Sequence, residues 1–86
     1  MIRLKLLTRP DCPLCEEMRR EVEAMLAGEP HAWEIVNVDE DEDLARRYGE
    51  SVPVLFINDR LFAKVRLPRL ASPRFLRFAA SAAEEA

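Results

Sequence analysis

Apolar and polar residues follow two different spacings in the first part of the chain. Residues 2–6 alternate between apolar and charged side chains, which is the period of a strand with one face in a core. From about Pro13 to Ala27 apolar residues recur at helical spacing, and Gly28 supplies a stop, so a helix is predicted there. Residues 33–38 are apolar enough for a strand buried on both faces, which suits a central position in a sheet. Together these segments predict a βαβ unit.

The middle of the chain predicts a second helix and a hairpin. The acidic residues 39–43 favour the positive end of a helix dipole, so they are predicted to open a helix that ends before Gly49. Residues 52–65 are predicted to form an antiparallel hairpin that turns on Asn58 and Asp59. A hairpin after a βαβ unit gives a sheet with both parallel and antiparallel pairs.

A last helix is predicted to follow, with Ser72 as its cap and Pro73 at its first position. Its predicted apolar face consists of Phe75, Leu76, Phe78, Ala79 and Ala82. The resulting order, βαβαββα, predicts an α/β fold with a four-stranded mixed sheet flanked by helices. One domain is expected over residues 1–86, because no linker divides the chain.

The amino-acid composition and the net charge argue against several classes of protein. The chain has 86 residues, of which 49% are hydrophobic and 34% are charged, and its formal net charge is -3. This balance argues against general nucleic-acid binding, which draws on clustered Lys and Arg. The first residues lack the continuous apolar run of a secretory signal, and no segment reaches the length needed to cross a bilayer. We therefore expect a cytoplasmic monomer with no nucleic-acid or membrane partner.

Charge is nevertheless uneven along the chain. From Arg60 to Arg77, basic residues follow one another with no acidic residue among them. One interpretation is a solvated face. The other is a basic rim in which Arg66 or Arg69 contacts an anionic substrate.

Cys12 and Cys15 are the only cysteines of the chain. A Cys-x-x-Cys pair has two common uses, as half of a tetrahedral metal site or as a dithiol that opens and closes a disulfide. A metal site would lack its other half, because His31 is the only histidine, unless a dimer pooled four thiolates. His31 itself is interpreted as a solvated loop residue without a role. The helix start favours the redox use, since unpaired N–H groups there stabilise a thiolate.

The redox interpretation gives the two sulfurs different roles. Cys12, at the start of the helix, is predicted to attack a disulfide. Cys15, one turn further into the helix, is predicted to be less exposed and to act as the resolving thiol. Pro10 and Pro13 restrict the backbone on either side of Cys12, which keeps the two sulfurs close enough to bridge.

Two charged residues precede the cysteine pair. Arg9 places a positive charge near Cys12, and Asp11 places a negative charge there. Asp11 is predicted to cap the helix with its carboxylate. If that carboxylate faced Cys12 instead, it would disfavour the thiolate.

The segment Thr8 to Cys15, directly after a strand, and the segment Ser51 to Pro53, directly before a hairpin, resemble the thioredoxin superfamily. The chain is most similar to the glutaredoxin-like branch, in particular to short bacterial glutaredoxin-like proteins, over about residues 2 to 80. This resemblance implies a thioredoxin-like fold, thiol-disulfide oxidoreductase activity and a cis peptide bond between Val52 and Pro53. The residues it implies for substrate contact are Arg9, Pro13, Val52 and Pro53.

Two departures from the glutaredoxin pattern bear on the electron donor. Leu14 stands where typical glutaredoxins carry an aromatic residue, and residues 63–66 stand where they carry a glycine pair followed by acidic or hydroxyl residues. The expected partner is a disulfide-containing protein or a low-molecular-weight thiol, and no bound cofactor is expected. The donor is left open between glutathione, as a co-substrate, and thioredoxin reductase. A second class also stays open, a non-catalytic binding module or a dimer that binds a metal or an iron-sulfur cluster through Cys12.

Overall fold

The computed structural model of the protein describes residues 1–68 and 71–85. Its helices and strands, in chain order, are β1 (Ile2–Thr8), α1 (Pro13–Met25), β2 (His31–Asn37), a 3-10 turn (Val38–Glu40), α2 (Glu42–Tyr48), β3 (Val54–Ile57), β4 (Arg60–Lys64) and α3 (Ala71–Glu85). The predicted order βαβαββα is confirmed. Arg69, which the sequence offers as a substrate contact, lies outside the described residues.

The four strands form one mixed sheet in the order β2-β1-β3-β4. β2 runs parallel to β1, with Ile2 opposite His31, whereas β3 runs antiparallel to β1, with Leu7 opposite Val54. β4 then pairs with β3 in the predicted antiparallel hairpin. Asn58 and Asp59, at the turn, both have positive φ, which is the backbone that a two-residue hairpin turn requires.

The prediction that β2 is a central strand buried on both faces is wrong. β2 lies at the edge of the sheet, and Ile35 in its middle is 49% exposed. The two inner strands are β1 and β3, each with a hydrogen-bonded neighbour on both sides. The apolar run of β2 is explained by partial packing on the two opposite faces of the sheet, through Trp33 on one and Val36 on the other.

Each face of the sheet carries its own apolar cluster. The larger cluster joins the inward side chains of β1, β3 and β4 to α1 and α3, and its buried members are Ile2, Leu4, Leu6, Met18, Val22, Leu26, Leu55, Ile57, Ala63, Phe75 and Ala79. The smaller cluster consists of Leu7, Val38 and Val54, with Leu44 and Tyr48 of α2 packed against it. Both clusters exist because successive residues of a strand point to opposite faces.

The last helix starts earlier than predicted. α3 already includes Ala71, so Ser72 is not its cap and Pro73 is not its first residue. Pro73 is tolerated at the third position because the first N–H groups of a helix have no partner within the helix. Phe75 is fully buried, and its ring meets the ring of Phe62 edge to face at 5.3 Å.

The predicted apolar face of α3 is confirmed where its side chains are described. Phe75 and Ala79 are buried, and Phe78 is half-buried. The side chains of Leu76 and Ala82 lie outside the described part of the chain. α3 therefore covers the same face of the sheet as α1.

The acidic run opens α2 as predicted, but it is divided between two elements. Asp39 and Glu40 belong to the 3-10 turn. Asp41 then caps α2, where its Oδ1 accepts hydrogen bonds from the N–H groups of Asp43, at 2.9 Å, and Leu44, at 3.1 Å. A short carboxylate at the cap satisfies two of the N–H groups that a helix start leaves without a partner.

The interpretation of His31 as a solvated loop residue is wrong. His31 is the first residue of β2, and its Nδ1 lies 2.7 Å from the carbonyl of Glu29. Its Nε2 lies 3.2 Å from the carboxylate of Glu23 on α1, which also accepts a hydrogen bond from the Trp33 indole N–H. The Glu29 carbonyl, and then Glu23, raise the pKa of His31 above its ordinary value. Hydrogen bonds from His31 and Trp33 lower the pKa of Glu23.

These contacts predict a pH-dependent stability. Because the folded pKa of His31 is raised above 6.5, protonated His31 stabilises the fold below that pH, and the contribution is lost as the pH rises through the folded pKa. The difference in free energy of unfolding between wild type and His31→Gln should therefore be largest near about pH 5.5 and shrink toward about pH 8.5. Urea unfolding at both pH values measures it, and an unchanged difference would contradict the assignment. Taking the difference cancels the other titrating groups.

Candidate active site

Three segments meet at the end of the sheet where β1 finishes. The first is the loop from Thr8 to Cys12, which leads from β1 into α1. The second is Val52–Pro53, which the pairing of Leu7 with Val54 places at this same end. The third is the stretch after Lys64, since Lys64 is paired with Val54. The chain order of strands and the antiparallel register therefore bring distant residues to one edge.

Cys12, rather than Asp11, caps α1, so the predicted cap is wrong. The backbone of Cys12 is extended, and its Sγ accepts a hydrogen bond from the N–H of Cys15 at 3.1 Å. Its carbonyl accepts from the N–H groups of Cys15 and Glu16 at 3.2 and 3.3 Å. Asp11 is exposed and has a φ of 56°, a left-handed conformation that Asp tolerates better than most residues. This left-handed residue turns the chain so that the cap falls on Cys12.

Cys12 and Cys15 form a disulfide across the first turn of α1. Their Cα atoms lie 5.3 Å apart, within the range that a disulfide spans. The two residues differ in access, because Cys12 is half-buried whereas Cys15 is only 3% exposed. Pro13, between them, occupies the first helical position, where no N–H is needed. Cys12 is therefore the more exposed residue of the pair.

The hydrogen bond from the Cys15 N–H to Sγ of Cys12 also affects the chemistry of the Cys12 sulfur. When the disulfide is reduced, the N–H that points at Sγ of Cys12 and the other N–H groups of the first turn favour a negative sulfur. Cys15, one turn further along, is the more buried residue of the pair. The arrangement suits attack by Cys12 and release by Cys15.

Arg9 ties the loop before Cys12 to the 3-10 turn and to the end of α2. Its Nε donates to Oδ1 of Asp39 at 3.1 Å, and its terminal NH1 donates to the carbonyl of Gly49 at 3.1 Å. Sequence reasoning missed both partners, because they lie 30 and 40 residues away and no local pattern links them. The Arg9 side chain remains 46% exposed, and its contact with a substrate stays a prediction.

A cavity of about 410 Å³ borders the disulfide between α1 and β2. Both cysteines line it, together with Arg9, Arg19 of α1 and the exposed Ile35 of β2. β2 is an edge strand, and within the described residues no strand lies beyond Ile35 in the sheet.

The Val52–Pro53 peptide bond is cis. Pro53 is buried, and its carbonyl accepts a hydrogen bond from the N–H of Val65 at 2.7 Å. Val52 is half-buried and packs beside the smaller apolar cluster. The contacts of Val52 and Pro53 with a substrate stay predictions.

Val65 is a second feature that sequence reasoning missed. The sequence marks residues 63–66 only as a departure from the glutaredoxin pattern. In the structure Val65 has a φ of 67°, and it lines a cavity of about 250 Å³ with Leu14 and Arg66. The one available signal was a branched residue within the segment where typical glutaredoxins carry a glycine pair.

Two further features concern metal binding and membrane crossing. Within residues 1–68 and 71–85, no group of three or more His, Cys, Asp or Glu side chains is placed to hold a metal ion. Among the helices of that same part of the chain, none is long and apolar enough to cross a membrane.

Comparison with known proteins gives a consistent family. The sequence profile of the glutaredoxin-like domain (DUF836) matches residues 3–74. The solution structure of protein Ne2328 from Nitrosomonas europaea is 29% identical, covers 86% of this chain and 89% of its own, and superposes with a TM-score of 0.72. The crystal structure of XcR50 from X. campestris is 28% identical, covers 91% and 96% of the two chains, and has a TM-score of 0.60.

A more distant structure shows the fold alone. The holo form of glutaredoxin C1 from Populus tremula x tremuloides is 19% identical, covers 91% of this chain and 78% of its own, and has a TM-score of 0.55. No curated protein matches the sequence significantly. The predicted glutaredoxin-like fold is thereby confirmed.

The Arg9 contacts predict a local loss of stability when they are removed. Arg9→Ala should lower the free energy of unfolding by about 1 kcal/mol or less, because the ion pair is partly exposed. It should also speed hydrogen exchange at the amides of Cys15 and Glu16, which bond to the carbonyl of Cys12. Arg3→Ala is the matched control, since its ion pair with Asp59 lies at the other end of the sheet. Equal exchange in both variants would contradict the prediction.

Proposed function

The chain belongs to the family of glutaredoxin-like domains, and from that premise we propose that it is a thiol-disulfide oxidoreductase that works through Cys12 and Cys15. The observation that carries the proposal is the disulfide at the start of α1, between a half-buried Cys12 and a buried Cys15. A structural disulfide would gain little from this place, because it closes a loop of only a few residues. A redox pair gains an activated sulfur there.

The proposed reaction starts from the reduced protein. The thiolate of Cys12 attacks one sulfur of a substrate disulfide, which forms a mixed disulfide and releases the other substrate sulfur as a thiolate. The thiol of Cys15 loses its proton and attacks Sγ of Cys12, which frees the second substrate thiol and closes the Cys12–Cys15 bond. Two electrons pass from the protein to the substrate. A thiol donor reduces the protein in the next cycle, so the exchange itself needs no bound cofactor.

The proposed substrate is a disulfide-containing protein or a low-molecular-weight disulfide that lies across the edge of the sheet. Val52 offers backbone groups to an extended substrate. Pro53 holds the protein backbone next to Val52 in place. Pro13 lies exposed next to Cys12, where it limits how a substrate approaches. Arg9, half-exposed in the cavity that borders the disulfide, supplies a positive charge to the departing thiolate.

The proposed donor is a dithiol protein rather than glutathione. Typical glutaredoxins carry a glycine pair after the hairpin, whereas this chain has an exposed branched side chain there, at Val65. A side chain takes up space at a position where a small thiol would need close approach to backbone. Glutathione remains a candidate co-substrate that the donor experiment tests.

The cysteine roles predict different outcomes for two substitutions. Cys12→Ser should lower turnover of a disulfide substrate by at least about a hundredfold, because a hydroxyl does not attack disulfides at neutral pH. Cys15→Ser should instead accumulate a mixed disulfide between Cys12 and the substrate, visible as a mass increase that reduction reverses. Turnover by Cys12→Ser at the wild-type rate would refute the proposal.

The choice of donor predicts a difference between two coupled assays. Reduction of bis(2-hydroxyethyl) disulfide is followed in parallel, driven by glutathione with its reductase or by thioredoxin reductase. We expect the second donor to support turnover at least about tenfold faster, since Val65 hinders glutathione and leaves a protein dithiol able to reach Cys12. Equal rates, or faster turnover with glutathione, would contradict the proposed donor without affecting the proposed reaction.

A further inference from the structure

The cavity of about 410 Å³ between α1 and β2 has the size of a small-molecule site, for which about 300–1,000 Å³ is usual. Cys12 and Cys15 both line it, so a small molecule in it would lie beside the reactive pair. Ile35 of the edge strand β2 also lines it. Val52–Pro53, by contrast, leads into β3, on the other side of β1. The cavity is therefore a second approach to the pair, separate from the Val52–Pro53 segment.

Two arginines line this cavity, and only one of them is engaged. Arg9 donates hydrogen bonds to Asp39 and to the Gly49 carbonyl. Arg19 of α1 is exposed, and among the described residues its guanidinium makes no hydrogen bond or ion pair. Arg19 is therefore the cation of the cavity that is free to bind a ligand.

The contacts of β2 with α1 explain why Arg19 has no bonded partner. Glu23 follows Arg19 by four residues on the helix, a spacing at which opposite charges commonly pair. The Glu23 carboxylate instead accepts a hydrogen bond from the Trp33 indole N–H and lies 3.2 Å from Nε2 of His31. Arg19 contributes least among the groups that lower the pKa of Glu23. The natural partner of Arg19 on α1 is thus already occupied.

Helix geometry places Arg19 close to the cysteines. Arg19 follows Cys15 by four residues, so the two lie about one turn, or about 6 Å, apart along the helix axis. Side chains on an α-helix lean toward its N-terminus, and the N-terminal end of α1 carries the cysteine pair. A group that Arg19 binds in this cavity is therefore separated from the disulfide by the length of a short carbon chain.

Two carboxylates complete the charges of the cavity. Asp11 and Glu16 line it beside the first turn of α1, so its two acidic and two basic side chains give a formal net charge of zero. The cavity therefore does not attract anions through its net charge. The acidic pair disfavours an anionic group next to the cysteines themselves, whereas Arg19 favours one further along the helix. A ligand with its disulfide at the cysteines and a carboxylate at Arg19 satisfies both conditions.

We propose that Arg19 determines substrate specificity by binding the carboxylate of a small disulfide that reaches the cysteine pair through the cavity between α1 and β2. The inference rests on the proposed function and adds a substrate class to it, short disulfides that carry a carboxylate. Arg19 forms an ion pair only. The thiolate of Cys12 attacks one sulfur of the small disulfide, and closure of the Cys12–Cys15 bond passes two electrons to the substrate, which leaves as two carboxylate-bearing thiols.

The test compares three disulfides of similar length: dithiodiglycolate, which ends in carboxylates, bis(2-hydroxyethyl) disulfide, which ends in hydroxyls, and cystamine, which ends in ammonium groups. Each is added in excess to the pre-reduced protein at about pH 7, where carboxylates and ammonium groups are charged. Acid quenching and alkylation of the remaining thiols give the rate constant for closing the Cys12–Cys15 bond. The carboxylate-to-hydroxyl ratio of rate constants is the readout, because a change in Cys12 reactivity affects both substrates.

The charge at residue 19 should set this ratio. Arg19→Gln should lower the carboxylate-to-hydroxyl ratio about three- to fivefold, as expected for the loss of one solvent-exposed ion pair. Arg19→Glu should lower it further and raise the ammonium-to-hydroxyl ratio. Arg19→Lys keeps the charge and should retain most of the wild-type ratio. Added salt should bring the wild-type ratio toward that of Arg19→Gln.

Arg20→Gln is the matched control, because Arg20 is the next residue of α1, is exposed and does not line this cavity. Its ratio should equal that of wild type. An equal fall in Arg19→Gln and Arg20→Gln would overturn the inference, since net charge alone would then explain the preference. Wild-type ratios in both Arg19→Gln and Arg19→Glu would also overturn it. If none of the three disulfides oxidised the wild-type protein, the proposed function itself would fail.

Discussion

Backbone pairing on both sides of β1 is the interaction on which the rest of the structure depends. β1 is parallel to β2 and antiparallel to β3, so every apolar residue along it is covered by a helix or a neighbouring strand. The antiparallel register with β3 also places Val52–Pro53 at the end of β1 from which the chain enters the cysteine loop. The same pairing therefore builds the core and assembles the candidate site.

The candidate site uses one sulfur for two purposes. In the disulfide form, Sγ of Cys12 accepts the cap hydrogen bond that α1 needs at its start. After reduction, the same N–H favours negative charge on that sulfur. The cap of α1 and the charge on the Cys12 sulfur thus depend on the same atoms.

Long-range tethers hold the segments around the pair. Arg9 fixes the approach to Cys12 through Asp39 of the 3-10 turn and the Gly49 carbonyl at the end of α2. The N–H of Val65, the residue after β4, fixes the Pro53 segment. Neither tether involves the cysteines themselves. The loops around the cysteine pair are thereby positioned by elements that belong to the two apolar clusters.

The sequence by itself determined the features that depend on neighbouring residues. The alternation in β1, the helical spacing from Pro13, the turn at Asn58 and the Cys-x-x-Cys pair are all short-range patterns, and the structure contains each of them. Together they gave the order of elements and the fold class. The roles of individual residues toward a substrate remain predictions, because no contact with a substrate follows from local pattern.

Only the tertiary structure decided the features that depend on distant pairing. The edge position of β2, the contact of Arg9 with Gly49 and the hydrogen bond from the Val65 N–H to Pro53 each join segments that are separate in the sequence. His31 meets Glu23 over a shorter interval, from β2 to α1. An apolar run looks the same in a central strand and in an edge strand that packs partly on both faces. Which residue caps a helix likewise depends on the path of the preceding loop, as Asp11 and Cys12 show. Strand order and loop paths depend on the free energy of packing the whole core. A short stretch of sequence does not determine that free energy.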